Sequence, residues 1–388
     1  MIRTIPIADL TVGMYLHEAT GSAITQTLWK VGFKIQHPAD LERIRTAGMT
    51  QVSIDTSKGL DVAVPAPMAV ETQPRALQEE LRDAMAACAR AKQAVARMFN
   101  DARLGHAISN EASIEAVEEV TASIMRHPHA LISLARLKSA DEYTYMHSVA
   151  VCGLMVSLAR QLEQPEAVIR EAGKAGLLHY IGKMAIPAHI LNKPSRLTDE
   201  ELAIVRAHPV GGLEILRRSG FMDVAAIDVC LHHHEKFDGT GYPHGLSGEA
   251  ISPLARMGAI CDVYDAITSA RPYKQPWGPA HSLAKMATWK GHFDEHMFQA
   301  FVRTIGIYPI GTLVRLASDR LAIVVEQNEQ TLLTPKVLVV LDCKHRYRLT
   351  PTPLDLAESG DQIIQAELAD AWGLRDLDRL WSGPAEAP

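Results

Sequence analysis

The sequence predicts a mainly α protein: an all-helical domain flanked by a small N-terminal α+β module and a β-rich C-terminal appendage. Three observations predict it. Apolar residues recur at helical spacing from Leu77 to about Ile305. Short β-type runs punctuated by glycine occupy the first 61 residues, and β-branched runs separated by turn residues take over after Gly306.

The order of elements follows. Residues 1–61 contain "IPIADLTVGMYLHE" and "QVSID" as strands and "PADLERIRTAG" as one helix, a small accessory module. Residues 62–76 carry three prolines and few large apolar side chains, so they read as a linker. Residues 77–138 hold a long amphipathic helix with Leu77, Leu81, Met85, Cys88, Val95 and Met98 on one face, then connecting helices at "SIEAVEEVTASIM" and "ALISLARL". The long helix could also pack against its copy in a homodimer. Residues 139–305 stay helical, with a capping box at Thr198 and Glu201, and with Pro165 and Pro209 where a first helical turn accepts proline. Residues 306–380 are the β-rich appendage, and the last residues, "SGPAEAP", are expected to be disordered.

Composition excludes several classes. At 388 residues and 47% hydrophobic, the chain can fill the cores of two or three domains. A net charge of −6, with both signs spread along the chain, offers no basic face to a nucleic-acid polymer. A locally basic pocket for a small anion remains compatible with it. The five cysteines, Cys88, Cys152, Cys230, Cys261 and Cys343, form no C-x-x-C pair, which argues against a disulfide framework or thiolate zinc and for a reducing compartment. No apolar run reaches the roughly 18 to 20 residues that span a bilayer, and the N-terminus lacks a signal-peptide core. A cytoplasmic protein without a membrane partner is expected.

The chain has 17 histidines, unevenly placed. His147, His179, His208, His233, His234 and the carboxylate Asp262 lie in or beside apolar helical runs, where each polar group must find a partner. One such histidine is usually an ordinary satisfied residue. Six such groups in one helical domain are harder to explain so, because bundles build metal sites from side chains on facing helices. The segment "HHHEKFDGTGYPHGLSG" runs a helix into a tightly turned loop, which an ordinary surface loop would also do. "AICDVYDAITSARPYKQ" sets Asp262 and Asp265 one turn apart, with Arg271 and Lys274 beyond. Metal carboxylates followed by phosphate-binding cations have this order, and so does a solvated charged face.

Together these segments closely resemble the HD-GYP family of bacterial cyclic-dinucleotide phosphodiesterases, from about residue 141 to residue 301. The resemblance is carried by "DEYTYMHSVAV", "LLHYIGKMAIPAHILNKPSRLTDEE", "RAHPVGG", "HHEKFDGTGYPHGLSG" and "ARMGAICDVYDAITSARPYK". It implies an HD-type metal-dependent phosphohydrolase fold, two divalent transition metals such as manganese or iron, and cyclic di-GMP as substrate, cut to pGpG or GMP. Matched position by position, it implies His147, His179, His208, His233, His234 and Asp262 as metal ligands, with His179 and Lys183 as catalytic residues. Lys183, Asp265, Arg271, Lys274 and the signature Gly241, Tyr242 and Pro243 would meet the substrate, and Tyr242 would offer a guanine ring a stacking face. Some members hold a third metal through a glutamate where this chain has Tyr143, so two metals are implied here.

One position departs from the pattern. Where the family has the aspartate of its HD pair, which bridges both metals, this chain has Tyr180. A phenol titrates near 10 rather than about 3.9 and offers one oxygen instead of two. Without the bridge, His147, His179 and Asp262 would keep one metal position, and His208, His233 and His234 the other. Two readings follow: a phosphodiesterase for cyclic di-GMP slowed by Tyr180, or a catalytically silent module that binds the dinucleotide or a partner protein through the Gly-Tyr-Pro loop.

Overall fold

The computed structural model describes residues 2–7, 10–20, 32–37, 41, 44, 51–60, 77–136, 143–191, 193, 195–269, 276–328, 330–374 and 377–382. The linker expected over 62–76 and the tail after 382 lie outside them. The chain divides into two compact units, Met1–Val70 and Glu71–Pro388.

In the first unit β1 (Ile2–Pro6), β2 (Tyr15–Thr20), β3 (Phe33–Lys34) and β4 (Gln51–Asp55) form an antiparallel sheet in the order β1-β4-β2-β3. Its core is Ile5, Leu10, Met14, Leu16, Ile35, Ile44, Val52 and Ile54. Alternation puts Val52 and Ile54 on the buried face of β4, as a half-buried strand requires. Of the helix expected at "PADLERIRTAG", only Leu41 and Ile44 are described, and both are helical.

The second unit begins with α1 (Leu77–Arg103), α2 (Asn110–Arg126), α3 (Ala130–Arg136), α4 (Tyr143–Gln161) and α5 (Glu166–Leu178). A 3₁₀ turn, Ile181–Ala185, follows, then α6 (Ala188–Leu191), α7 (Asp199–Arg206), α8 (His208–Arg218) and α9 (Val224–His232). After a long loop come α10 (Pro253–Thr268), α11 (Pro279–Ala287) and α12 (Glu295–Ile305). The capping box forms as the sequence requires: Glu201 N donates to Thr198 Oγ1 and Thr198 N to Glu201 Oε2.

The apolar stripe of α1 is used inside the chain: Leu81, Cys88, Val95, Met98 and Phe99 are buried in one core with residues of α2 to α5. Of the stripe residues that could meet a second copy, Leu81, Cys88, Val95 and Met98 are thus covered within the chain, while Met85 is 46% exposed. Glu80, fully buried, clasps α1 to α2 by accepting from Arg126 Nε at 2.6 Å, Arg126 Nη2 at 2.9 Å and Ser123 Oγ at 2.9 Å.

The C-terminal strands β5 (Leu313–Leu316), β6 (Arg320–Glu326), β7 (Lys336–Asp342), β8 (Tyr347–Asp355) and β9 (Ile363–Ala366) form an antiparallel sheet ordered β8-β7-β6-β5-β9. Leu313, Leu321, Ile323, Val340 and Leu341 share one core with the helices, and Arg136 Nη2 donates to the Ile310 carbonyl at 3.1 Å. The boundary drawn at 305 therefore marks a change of secondary structure, not a gap between separately packed bodies, and the one at 138 falls between α3 and α4, which share one core.

Candidate metal centre

Small residues bring the site-bearing helices together. A Cβ at Gly176 would lie 2.9 Å from Cys152 Cα, so α4 and α5 touch backbone to side-chainless backbone there. A Cβ at Gly182 would lie 1.9 Å from the His208 carbonyl oxygen, so the turn after His179 presses on the start of α8. These contacts carry His147 (α4), His179 (end of α5), His208 (α8), His233 and His234 (after α9) and Asp262 (α10) to one place.

Two ligand triads result, each with its donor atoms within 4.8 Å of one another: His147, His179 and Asp262, and His208, His233 and His234. These are the two sets expected from the sequence. In each, the outer ring nitrogens are spoken for. His179 Nδ1 donates to the Gly176 carbonyl at 2.7 Å, His208 Nδ1 to Val205 at 2.8 Å and His233 Nδ1 to Val229 and Cys230 at 3.0 Å. Carbonyls only accept, so those Nδ1 atoms carry the protons and the Nε2 atoms are left as acceptors. His208 Nε2 faces His233 Nε2 at 3.2 Å, lone pair to lone pair; His179 Nε2 lies 3.3 Å from His147 Nε2, which is itself 2.9 Å from the Asp262 carboxylate and placed to donate there. Facing lone pairs in a buried site repel unless a cation lies between them, so the donor set fits a metal.

Electrostatics agree. Burial, followed by the neighbouring charges, holds His179 below the ordinary imidazole range and His208 and His233 well below it. Burial likewise lowers His234 to about 4. All four are therefore neutral ligands near pH 7. Burial alone would push Asp262 upward, but the hydrogen bond with His147, with the His179 and His234 rings nearby, holds it well below the usual carboxylate range. Asp262 spans the two triads: Oδ1 lies 2.9 Å from His147 Nε2 and 3.7 Å from His179 Nε2, and Oδ2 lies 3.7 Å from His234 Nδ1.

Tyr180 sits in the middle of this arrangement. Its ring centroid is 4.5 Å from that of His147, 5.1 Å from His179 and 5.6 Å from His208, and Lys183 Nζ lies 4.7 Å over its face. The ring thus takes the inner position of the bundle as an aromatic wall.

Asp265, expected at the substrate, meets His147. It is 3% exposed and its Oδ2 accepts from His147 Nδ1 at 2.6 Å; the one-turn spacing that sets it on one face with Asp262 puts the two carboxylates on either edge of one imidazole. Tyr242 of the signature loop stacks on His234 at 4.7 Å, and its N–H donates to the His234 carbonyl at 3.2 Å. Burial, then Asp262, pushes its phenol upward. Gly241 is required: a Cβ would fall 2.3 Å from Lys236 N. Arg271, Lys274 and the side chain of Tyr143 lie outside the described residues.

Sequence reading passed over Glu235 and Arg206. Glu235 is 2% exposed and accepts from the His244 N–H at 2.7 Å and the Leu246 N–H at 3.1 Å, fastening the loop that carries Tyr242 and Pro243. A carboxylate directly before a glycine-rich loop, where backbone donors need acceptors, was the available signal. Arg206 lies 5.5 Å over the Tyr242 ring, and only folding reveals that.

Comparisons with known proteins bear on this geometry. A family profile described as HD domain matches residues 120–297, and a domain of unknown function, DUF3391, matches residues 2–113. The chain is 50% identical, over 402 aligned positions, to a cyclic di-GMP phosphodiesterase of Pseudomonas aeruginosa, covering 100% of this chain and 97% of that one. It is 40% identical over 181 positions to a cyclic di-GMP phosphodiesterase response regulator of Xanthomonas campestris, covering 44% and 47%. A 3'3'-cGAMP-specific phosphodiesterase of Vibrio cholerae is 36% identical over 173 positions, covering 44% and 32%. No helix among the described residues is long and apolar enough to cross a membrane.

Proposed function

Because the chain belongs to the HD-domain family of cyclic di-GMP phosphodiesterases, we propose that it hydrolyses cyclic di-GMP to pGpG or GMP, with one divalent transition metal, manganese or iron, in each triad. The observation that carries this is the pair of buried triads, His147, His179 and Asp262 beside His208, His233 and His234, the second with two facing Nε2 lone pairs. When bound, such metals supply a water of lowered pKa and positive charge against the phosphoryl oxygens.

The chain's own residues supply the rest. Asp262 turns one oxygen toward each triad, and Tyr180 supplies no carboxylate of its own between them. Tyr180 lines the centre and keeps Lys183 Nζ against its face. From there Lys183 meets negative charge that grows on the phosphoryl oxygens, in a site dry enough for that charge to count. Asp265 holds the His147 ring in orientation, and Glu235 fixes the loop beside His234. Arg271 and Lys274 are assigned to the substrate phosphates on the family pattern alone. The five cysteines are buried and form no C-x-x-C pair, which suits the cytoplasm.

The reading of the chain as a silent binding module is not favoured: it rested on Tyr180, while the relative 50% identical over the full chain is a cyclic di-GMP phosphodiesterase. No observation among the described residues favours a partner protein or a second copy. The test compares the purified chain with His233→Ala and Tyr180→Asp for manganese and iron content and for pGpG formed from cyclic di-GMP. Turnover by the unmodified chain that His233→Ala abolishes is expected. Turnover only after Tyr180→Asp would overturn the reading.

A further inference from the structure

We propose that a cavity of about 450 Å³ beside Lys183, walled by Ile190, Lys193, Arg196, Leu197 and Val205, is the subsite for the half of the cyclic dinucleotide that is not being cut. This deepens the phosphodiesterase reading above and rests on it.

A cyclic dinucleotide has two phosphodiesters, and only one can lie at the ligand triads at a time. The other nucleotide needs a neighbouring place with cations for its phosphate and an apolar face for its base. The cavity adjoins the triads through two of its walls. Lys183, 8% exposed, holds its Nζ 4.7 Å over the Tyr180 ring, and the Val205 carbonyl accepts from His208 Nδ1 at 2.8 Å. Its volume lies in the lower half of the range of small-ligand sites, roughly 300 to 1,000 Å³.

Its chemistry is mixed in the way a nucleotide needs. Ile190, 5% exposed, with Leu197 and Val205, supplies the apolar face. Lys193 is held by Glu201, its Nζ 2.8 and 2.6 Å from the two carboxylate oxygens, so it shapes the wall more than it offers charge. Arg196 is exposed and has no ion pair among the described residues, so its guanidinium is available for bidentate recognition of a phosphate or of the O6/N7 edge of guanine. The proposal therefore makes Arg196 a substrate-binding residue and Lys183 the shared edge of the two half-sites.

The experiment uses the full metal-loaded chain and two substrates, cyclic di-GMP and bis(p-nitrophenyl) phosphate, a small diester that reaches the triads but not the cavity. Arg196→Ala should raise KM for cyclic di-GMP about tenfold, one charge-assisted hydrogen bond at a partly exposed position. Metal content and turnover of the small diester should stay unchanged, and Arg196→Lys should recover part of the loss. Leu197→Trp, which fills the cavity, should act in the same selective way. An unchanged KM in Arg196→Ala, or an equal loss on both substrates, overturns the subsite while leaving the phosphodiesterase reading intact. An unmodified chain that turns over neither substrate overturns that reading, and the subsite with it.

Discussion

Replacing Asp265 by asparagine separates a ligand-orienting role from substrate contact. His147 is fully buried and Asp265 is 3% exposed, and they meet at 2.6 Å. A buried hydrogen bond to a charged acceptor is worth about 1.5–3 kcal/mol. At about 1.4 kcal/mol per factor of ten, removing the charge while keeping the shape should weaken metal binding at the His147 triad by roughly 10- to 100-fold, which matches the usual cost of losing such a supporting group. Asparagine can still accept from His147 Nδ1 through its Oδ1, so folding should survive. The assay is calorimetric titration of the metal-free chain with Mn²⁺. One class of sites should weaken by that factor, and the class assigned to His208, His233 and His234 should hold its affinity. Unchanged Mn²⁺ binding together with a raised KM for cyclic di-GMP would refute the reasoning and return Asp265 to the substrate-contacting role the sequence suggested.

Glu80→Ala strands Arg126 in the α1–α2 interface and should cost about 3–5 kcal/mol in denaturant unfolding, without altering metal content per folded molecule. Gly182→Ala puts a methyl 1.9 Å from the His208 carbonyl, so α8 must move; loss of metal from the His208 triad should exceed any loss of helix content by circular dichroism. The metal-free chain should be acid-labile in a defined window. His179, His208 and His233 are depressed and His234 lies at about 4, while unfolded histidines titrate near 6.5. The unfolded chain therefore binds more protons than the folded one between those values, so stability is complete above about pH 6.5 and declines as pH falls toward 4. Thermal melts of the metal-free chain at pH 7.5 and 5 should show the drop, and His234→Gln should make it shallower.

The helical ligands were legible from the chain because their chemistry is local to each segment. His147, His179, His208 and the His233–His234 pair each stand in an apolar helical run, and a buried imidazole demands a partner whichever way the helices are arranged. The division into two triads was implied by the resemblance to the family, not by the chemistry of any one segment. Glu235 could have been found from its position before a loop rich in donors. Other features belong to the tertiary structure. Asp262 and Asp265 share a helix, and nothing in a one-turn spacing says that they clasp one imidazole from both sides; that depends on α4 crossing α10 at His147.

The same holds for Tyr180. The sequence by itself determined that the bridging aspartate is absent and that a phenol cannot copy it, since residue chemistry needs no fold. Only the tertiary structure decided what fills the gap. The ring lodges among His147, His179 and His208, and Asp262 reaches both triads, because the distance between side chains on different helices is set by how closely the glycines at 176 and 182 let those helices approach.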